Sequence, residues 1–273
     1  MSAPSDDKSI GSHTKAGEAL LCLLRRNLSE LLIKESSAVI SFSGGLDSTL
    51  IAKLCLEIMP IKGIVAGSSG SNDLINAEKA SKILDFEIST VQIYEHNLMS
   101  AIRQMMTISK SADPILISFE IPIFISMLNT SEETILTGQG ADELFGGYAK
   151  YAKLVMQEFI EERDRDIDRL FASTVPFEDN LASHIGKKIA RPFLSREIQS
   201  LARTLRPELI YPAGSNKEII RDALRQLGLM DISFTSKKAA QYGSGTMNLM
   251  RKIAKKKGTD VRGLIEMISE EVG

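Results

Sequence analysis

One segment sets the architecture of this chain: Ala38-Val39-Ile40-Ser41-Phe42-Ser43-Gly44-Gly45-Leu46-Asp47-Ser48. Residues 38–42 are short, apolar and rich in β-branched side chains, which predicts a buried strand. The glycine pair ends this strand, and apolar residues at helical spacing resume over residues 48–59. The segment therefore predicts a strand, a tight glycine loop and a helix in immediate succession.

The loop in this unit is suited to an anion. Gly44 and Gly45 let the backbone approach a ligand closely, and the start of the helix presents unpaired N–H groups with a positive dipole. Ser43 and Ser48 add hydroxyl donors, so we expect a phosphate group here. Asp47 would repel phosphate unless Mg²⁺, which prefers carboxylate and phosphate oxygens, bridges the two. The simpler interpretation is a turn with Asp47 in the first helical turn, where acids are favoured.

Strands alternate with helices through the first half of the chain. Apolar periodicity predicts helices over residues 15–34, 48–59, 74–84, 98–109 and 117–128, and strands over residues 38–42, 61–66, 87–93 and 134–137. This order predicts an α/β fold, a parallel twisted sheet covered by helices on both faces. Ligands of such sheets bind beyond the carboxyl ends of the strands, where residues 43–48, 67–74 and 138–147 form three glycine-rich or serine-rich loops.

Two boundaries follow from the same patterns. Residues 1–14 are polar and predict a disordered start, and residues 15–273 predict one domain. From about residue 150 the chain is predicted to be mainly helical, with residues 158–168 forming a charged, solvated face.

The composition excludes several classes of protein. The chain has 273 residues, 43% hydrophobic and 25% charged, which is typical of an ordinary soluble globular protein. Its net charge of −2 argues against a nucleic-acid partner. Cys22 and Cys55 are too few for a disulfide framework, and both are predicted to be buried thiols. No signal peptide or membrane span is recognisable, so we expect a cytoplasmic protein without a membrane partner. A homo-oligomer is compatible with the sequence.

Residues 43–48 resemble the PP-loop, Ser-Gly-Gly-x-Asp-Ser, of enzymes that split ATP between its α- and β-phosphates. Residues 137–148, which read Thr-Gly-Gln-Gly-Ala-Asp-Glu-Leu-Phe-Gly-Gly-Tyr, are similar to the synthetase domain of the asparagine synthetase family, which includes the β-lactam synthetases. Residues 67–74 resemble the adenosine loop of that family. Three further segments resemble the family less closely, namely residues 191–194, 217–221 and 237–243. The resemblance covers residues 15–250, approximately.

The resemblance implies that an aspartate-like carboxylate attacks the α-phosphate of ATP, pyrophosphate leaves, and an amine then displaces AMP. It implies ATP and Mg²⁺ as cofactors, with Asp47 and Asp142 as the metal ligands. It also implies a lysine that stabilises the negative charge of the phosphates. This lysine is Lys238, or Lys237 if the gap in the comparison with the family lies elsewhere. The positions that it implies for nucleotide binding are Ser43, Gly44, Gly45, Leu46, Asp47, Ser48, Ala66, Gly67, Thr137, Gly138 and Lys217.

The pattern departs from the family in three places. Ser2 stands where glutamine-using members have a catalytic cysteine, so we expect no glutamine hydrolysis and assign the nitrogen to ammonia, another amine or a separate amidase subunit. Gln139, a further candidate catalytic residue, replaces a carboxylate and cannot accept a proton at neutral pH. In the family pattern Gly-x-Glu-x-Arg-x-Pro, an ungapped comparison places Gly186, Lys188 and Ala190 at the Gly, Glu and Arg positions.

Four hypotheses remain from the sequence. The first is an ammonia-dependent, asparagine synthetase-like ligase. The second is a related adenylating ligase that makes a different amide, as β-lactam synthetases do. The third, a tRNA-thiolating PP-loop enzyme, is disfavoured because sulfur carriage usually needs paired cysteines and RNA needs a basic surface. The fourth, a non-catalytic nucleotide-binding partner of an amidase, conflicts with the two retained carboxylates.

Overall fold

The chain folds around one parallel sheet, seen in a computed structural model that describes residues 11–212, 215–233 and 243–272. Within these residues the strands are β1 (Ala38–Ser41), β2 (Lys62–Gly67), β3 (Ile88–Gln92), β4 (Thr134–Leu136) and β5 (Lys188–Ala190). All neighbouring strands pair in parallel, in the order β3-β2-β1-β4-β5. The chain runs outward from β1 to β3, then returns to add β4 and β5 on the other side of β1.

Helices cover both faces of the sheet. They are α1 (His13–Leu32), α2 (Leu46–Leu56), α3 (Asn72–Leu84), α4 (Glu95–Ser109), α5 (Pro114–Leu128), α6 (Ala141–Leu144), α7 (Met156–Arg169), α8 (Val175–His184), α9 (Arg196–Thr204), α10 (Pro207–Ile210), α11 (Glu218–Gln226), α12 (Met230–Ser233), α13 (Thr246–Lys256) and α14 (Val261–Val272). Short 3₁₀ turns lie at Tyr151–Lys153 and Pro192–Leu194, and a π-helical turn at Leu170–Thr174 joins α7 to α8.

The central strands are apolar on both sides because each side meets a helical layer. In β1, Ile40 packs into a core with α1, α2 and α11, whereas Val39 packs into a second core with α4, α5 and α14. Successive side chains of a strand point to opposite faces, so a continuous apolar run fills both layers. The α/β fold predicted from the sequence, a parallel sheet covered by helices on both faces, is confirmed.

The structure corrects three details of the sequence prediction. Helix α1 begins at His13, two residues before the predicted helix, because the Ser12 hydroxyl caps it by accepting a hydrogen bond from Lys15 N (3.3 Å). Cys22 is exposed, whereas Cys55 is buried as predicted, and burial raises the pKa of the Cys55 thiol to about 12. Asp166, on the predicted solvated face, is buried and hydrogen-bonded.

The sequence patterns do not predict strand β5, because it is only three residues long and none of them is fully buried. Such a strand has no apolar run, and it is defined by pairing with β4, in which Ile135 lies beside Ile189. No single helix in the described ranges has both the length and the apolarity to cross a bilayer, although α4 and α5 together pass that test as a pair bent by 113°.

Candidate functional site

The first feature of the site is the point at which the strand order reverses. Strand β1 connects onward to the β2 side and β4 connects onward to the β5 side, yet the two strands are neighbours, with Ile40 beside Leu136. The loops after them therefore diverge and leave a crevice at the carboxyl edge of the sheet. Open α/β sheets bind their ligands at such a position. The first and third loops predicted from the sequence flank this crevice.

The first loop has the backbone that its glycines allow. Gly44 adopts φ +66°, and a Cβ atom there would overlap the backbone of Asn76 in α3. Gly45 is the N-cap residue of α2 and has no side chain to cover the first helical N–H groups. Leu46 directs its side chain into the core, so only its backbone faces the loop. Ser48 donates a hydrogen bond to Gly45 O (3.3 Å), which ties the loop to the first helical turn.

The third loop touches the first. A Cβ atom on Gly138 would lie 2.8 Å from Cβ of Asp47, so only glycine permits this approach. Thr137 donates its backbone N–H to Ala190 O (3.0 Å) and accepts a hydrogen bond from Gln139 N at its hydroxyl (3.4 Å). The side chain of Gln139 is half-buried beside the crevice loops. The loop therefore spans from β5 to the PP-loop-like turn.

Lys217 joins the two carboxylates that the sequence predicts as metal ligands. Its Nζ lies 2.7 Å from Asp47 Oδ2 and 2.7 Å from Asp142 Oδ1, and its side chain is only 3% exposed. Burial alone would lower the pKa of Lys217, but the charges of Asp142 and Asp47 outweigh it and raise the pKa above its ordinary value. Lys217 therefore keeps its positive charge at the crevice.

This arrangement can be compared with the needs of Mg²⁺. Asp47 and Asp142 converge on one cation position, and Mg²⁺ typically takes one or two carboxylates together with substrate phosphates and water. Among the residues that the structure describes, no group of three or more His, Cys, Asp or Glu side chains could hold a metal ion by itself. The donor set thus suits a metal that arrives with phosphate oxygens, rather than a permanently bound one.

Glu143, the residue that follows Asp142 in the chain, is a buried acid. Burial and the charge of Asp142 raise the pKa of Glu143 to about 7, although the hydrogen bond from Tyr148 acts in the opposite direction. The Tyr148 hydroxyl donates to Glu143 Oε1 over 2.7 Å. No local pattern in residues 137–148 distinguishes Glu143 or Tyr148 as a site residue, because their pairing and burial depend on the fold.

The second loop, residues 67–74, contacts Ser244 in the C-terminal part of the chain. Ser68 donates its backbone N–H to Ser244 O (2.8 Å), and a Cβ atom on Gly67 would overlap Ser71 Oγ. The methyl group of Ala66 lies in the core, so only its backbone is available to a ligand. The predicted lysines at positions 237 and 238 lie outside the described residues, and their roles stay predictions. Ser244 follows six positions after the second of them.

The segment around Lys188, where the chain departs from the family pattern, lies away from the crevice. Lys188 is exposed and pairs with Glu133 over 2.7 Å, away from the crevice. The neighbouring Arg191 has a buried side chain, which donates to Glu178 Oε2 (2.6 Å) and Asp179 Oδ1 (2.8 Å). Burial raises the pKa of Glu120, and the nearby Glu178 carboxylate raises it further. The ungapped comparison, which sets Ala190 at the arginine position of the family pattern, does not identify this cluster.

Comparisons with known proteins agree with these features. The family model described as asparagine synthase matches residues 20–174, which is more than half of the chain. A protein assigned as a glutamine-hydrolyzing asparagine synthetase in Methanocaldococcus jannaschii is 28% identical over 265 residues, covering 83% of this chain and 49% of that protein. An asparagine synthetase domain-containing protein of Drosophila melanogaster is 24% identical over 271 residues, covering 84% of this chain and 48% of that protein.

The chain spans about half the length of these curated relatives. Among solved structures, an NMN synthetase from Francisella tularensis is 13% identical with a TM-score of 0.46, covering 95% of this chain and 94% of that one. The family match includes the first and third loops, with both carboxylates of the crevice. The chain belongs to the asparagine synthase family.

Proposed function

We propose that this chain is an ATP-dependent, AMP-forming ligase that adenylates an aspartate-like carboxylate and forms an amide with ammonia. The observation that carries the proposal is the convergence of Asp47 and Asp142 on one cation position at the strand-order reversal. Two carboxylates in loops that are 95 positions apart do not meet at a buried cation in a generic turn. Membership in the asparagine synthase family supports the same chemistry.

The first loop would hold the phosphates of ATP. The left-handed Gly44 and the uncapped start of α2 leave backbone N–H groups for the leaving pyrophosphate, and an anion is favoured at such a helix terminus. Asp47 and Asp142 would hold Mg²⁺, which supplies charge neutralisation for the phosphate oxygens when it is bound. Lys217, and Lys238 or Lys237, would add positive charge against the same phosphates.

The proposed reaction has two steps. A carboxylate oxygen of the substrate attacks the α-phosphorus of ATP, the bond to the bridging oxygen of the β-phosphate breaks, and pyrophosphate leaves. The amine nitrogen then attacks the acyl carbon, AMP leaves, and the nitrogen loses a proton. Adenylation is needed because a carboxylate is inert to ammonia, whereas the acyl-AMP that forms in the first step has AMP as a good leaving group.

The third loop bears on the nitrogen source. Gln139 in the third loop offers a donor and an acceptor but no base for the proton of the incoming amine. Free ammonia or a separate amidase would supply the nitrogen. The same glutamine favours a second candidate, an adenylating ligase for a different amine or carboxylate, as in β-lactam synthetases.

A pyrophosphate-release screen tests the proposal. The protein is incubated with ATP, Mg²⁺ and each amino acid, with and without ammonia, and pyrophosphate, AMP and amide are measured. We expect release with aspartate or a close analogue, and Asp47→Asn or Asp142→Asn should reduce it by about 100-fold or more, because a lost metal ligand removes several kcal/mol of transition-state stabilisation. Asp168→Asn, on the exposed face of α7, is the matched control. Near-normal turnover of either site variant at saturating Mg²⁺ would refute the shared-metal assignment.

A further inference from the structure

The cation position between Asp47 and Asp142 is taken by a side chain of the protein itself. The ammonium group of Lys217 lies 2.7 Å from an oxygen of each carboxylate. Lys217 comes from the start of α11, 170 positions after Asp47 in the chain. Its stem is buried, so the ammonium group cannot exchange its partners for water without moving.

The fold holds Lys217 in this place by an unusual backbone conformation. Lys217 is a non-glycine residue with φ +55°, in the left-handed region that L side chains rarely adopt. Asn216 secures the turn by donating to Gly147 O (2.9 Å), and Arg221 donates to Asn216 O (2.7 Å). A Cβ atom on Gly147 would overlap both the Asp142 carboxylate and Cε of Lys217, so glycine leaves room for the stem. Both the strained backbone and the glycine favour one location for the ammonium group.

An ammonium group and a divalent ion cannot share this position. A metal ion entering alone would have to displace a buried ion pair and would gain only two carboxylate ligands from Asp47 and Asp142. With ATP present, the phosphates give the metal further oxygen ligands and give the displaced ammonium group a new anionic partner. Exchange of the two cations is therefore favoured only together with the nucleotide.

We infer that Lys217 is a built-in placeholder for the metal ion, which keeps divalent cations out of the site until ATP brings them in. This inference rests on the proposed ATP-dependent function. It predicts that the nucleotide-free protein binds divalent metal weakly, and that the cause is the Lys217 ammonium group. Lys217 acts here through the two carboxylates, whose oxygens its ammonium group occupies in the nucleotide-free protein.

The test uses Mn²⁺ alone as the probe, titrated into the full chain without nucleotide and followed by electron paramagnetic resonance. Lys217→Met should tighten Mn²⁺ binding by at least about tenfold, the change that about 1.4 kcal/mol produces. The gain should disappear in Lys217→Met combined with Asp142→Asn. Lys217→Arg keeps the charge and should bind as weakly as the wild type. Circular dichroism establishes that each variant is folded, and Lys217→Gln replaces the methionine variant if that one does not fold.

Lys150→Met is the matched control, because Lys150 also bridges two carboxylates, those of Glu162 (2.7 Å) and Asp166 (2.6 Å). These acids retain Arg165 and Arg169 as partners, so we expect no new Mn²⁺ site. Tight Mn²⁺ binding by the wild type, or no gain in a folded Lys217→Met protein, would overturn the inference. Neither result depends on turnover, whereas failure of the proposed function would appear as absence of pyrophosphate release by the wild type.

Discussion

Replacing Glu143 with glutamine removes a carboxyl group that the fold buries beside the charge of Asp142. Burial and Asp142 raise the pKa of Glu143 from 4.5 to about 7, against the hydrogen bond from Tyr148. In the unfolded chain the same carboxyl group ionises at its ordinary pKa. Between the two values the folded protein binds a proton that the unfolded chain has lost, so the free energy of unfolding falls as pH rises.

The size of this loss follows from the separation of the two pKa values. A difference from 4.5 to about 7, at about 1.4 kcal/mol per pH unit, corresponds to about 3 kcal/mol. Glutamine does not ionise, and its side-chain oxygen can still accept the hydrogen bond from Tyr148. The stabilising effect of Glu143→Gln, relative to the wild type, should therefore grow by about 3 kcal/mol as pH rises from 4.5 to 8.

Urea denaturation followed by circular dichroism, at several pH values between 4.5 and 8 and with EDTA present, measures this difference. Glu30→Gln, on the exposed side of α1, is the control and should show no comparable trend. A difference between wild type and Glu143→Gln that stays constant with pH would refute the reasoning. It would mean that Glu143 ionises alike in the folded and unfolded chains.

Three further variants test other parts of the site. Gly44→Ala should lower the kcat/KM of pyrophosphate release by about 100-fold, because the new Cβ atom would overlap the Asn76 backbone and push the loop away from it. Gly228→Ala is the control and should leave kcat/KM unchanged, because Gly228 has a similar φ but no atom near the position of a Cβ. Arg191→Met should cost about 3–5 kcal/mol of unfolding free energy in urea titrations, because it leaves its buried carboxylate partner without a counter-charge; a loss below about 1 kcal/mol would contradict this. For amide formation from ammonium, measured against pH, the wild-type rate should rise towards the pKa of ammonia, and Gln139→Glu should flatten that rise by supplying a base. A wild-type rate that is insensitive to pH would assign the glutamine another role.

Local sequence was enough to predict the centre of the sheet and its loops. An apolar β-branched run before Gly44 and Gly45 predicts strand, turn and helix from neighbouring residues alone. The parallel order of such units then places the first and third loops at one edge. The approach of Gly138 to Asp47 agrees with that prediction.

The features that the sequence patterns do not predict have a common physical cause. Strand β5 has no apolar run of its own and exists through its pairing with β4. Glu143 and Arg191 look like ordinary surface residues in the sequence, because burial and charge partners from distant segments decide their state. Arg191 meets Glu178 from a different element, α8, and no spacing rule connects the two.

The sequence by itself determined strands β1 to β4, the glycine turn after β1 and the two motifs that contain Asp47 and Asp142, because each of these depends on residues close together in the chain. Only the tertiary structure decided that Lys217 lies between Asp47 and Asp142. That contact joins residues 170 positions apart and requires a left-handed backbone at a lysine, which no local preference favours. Long-range packing brings the positive and negative side chains of the site together, whereas a sequence pattern identifies only which residues they are.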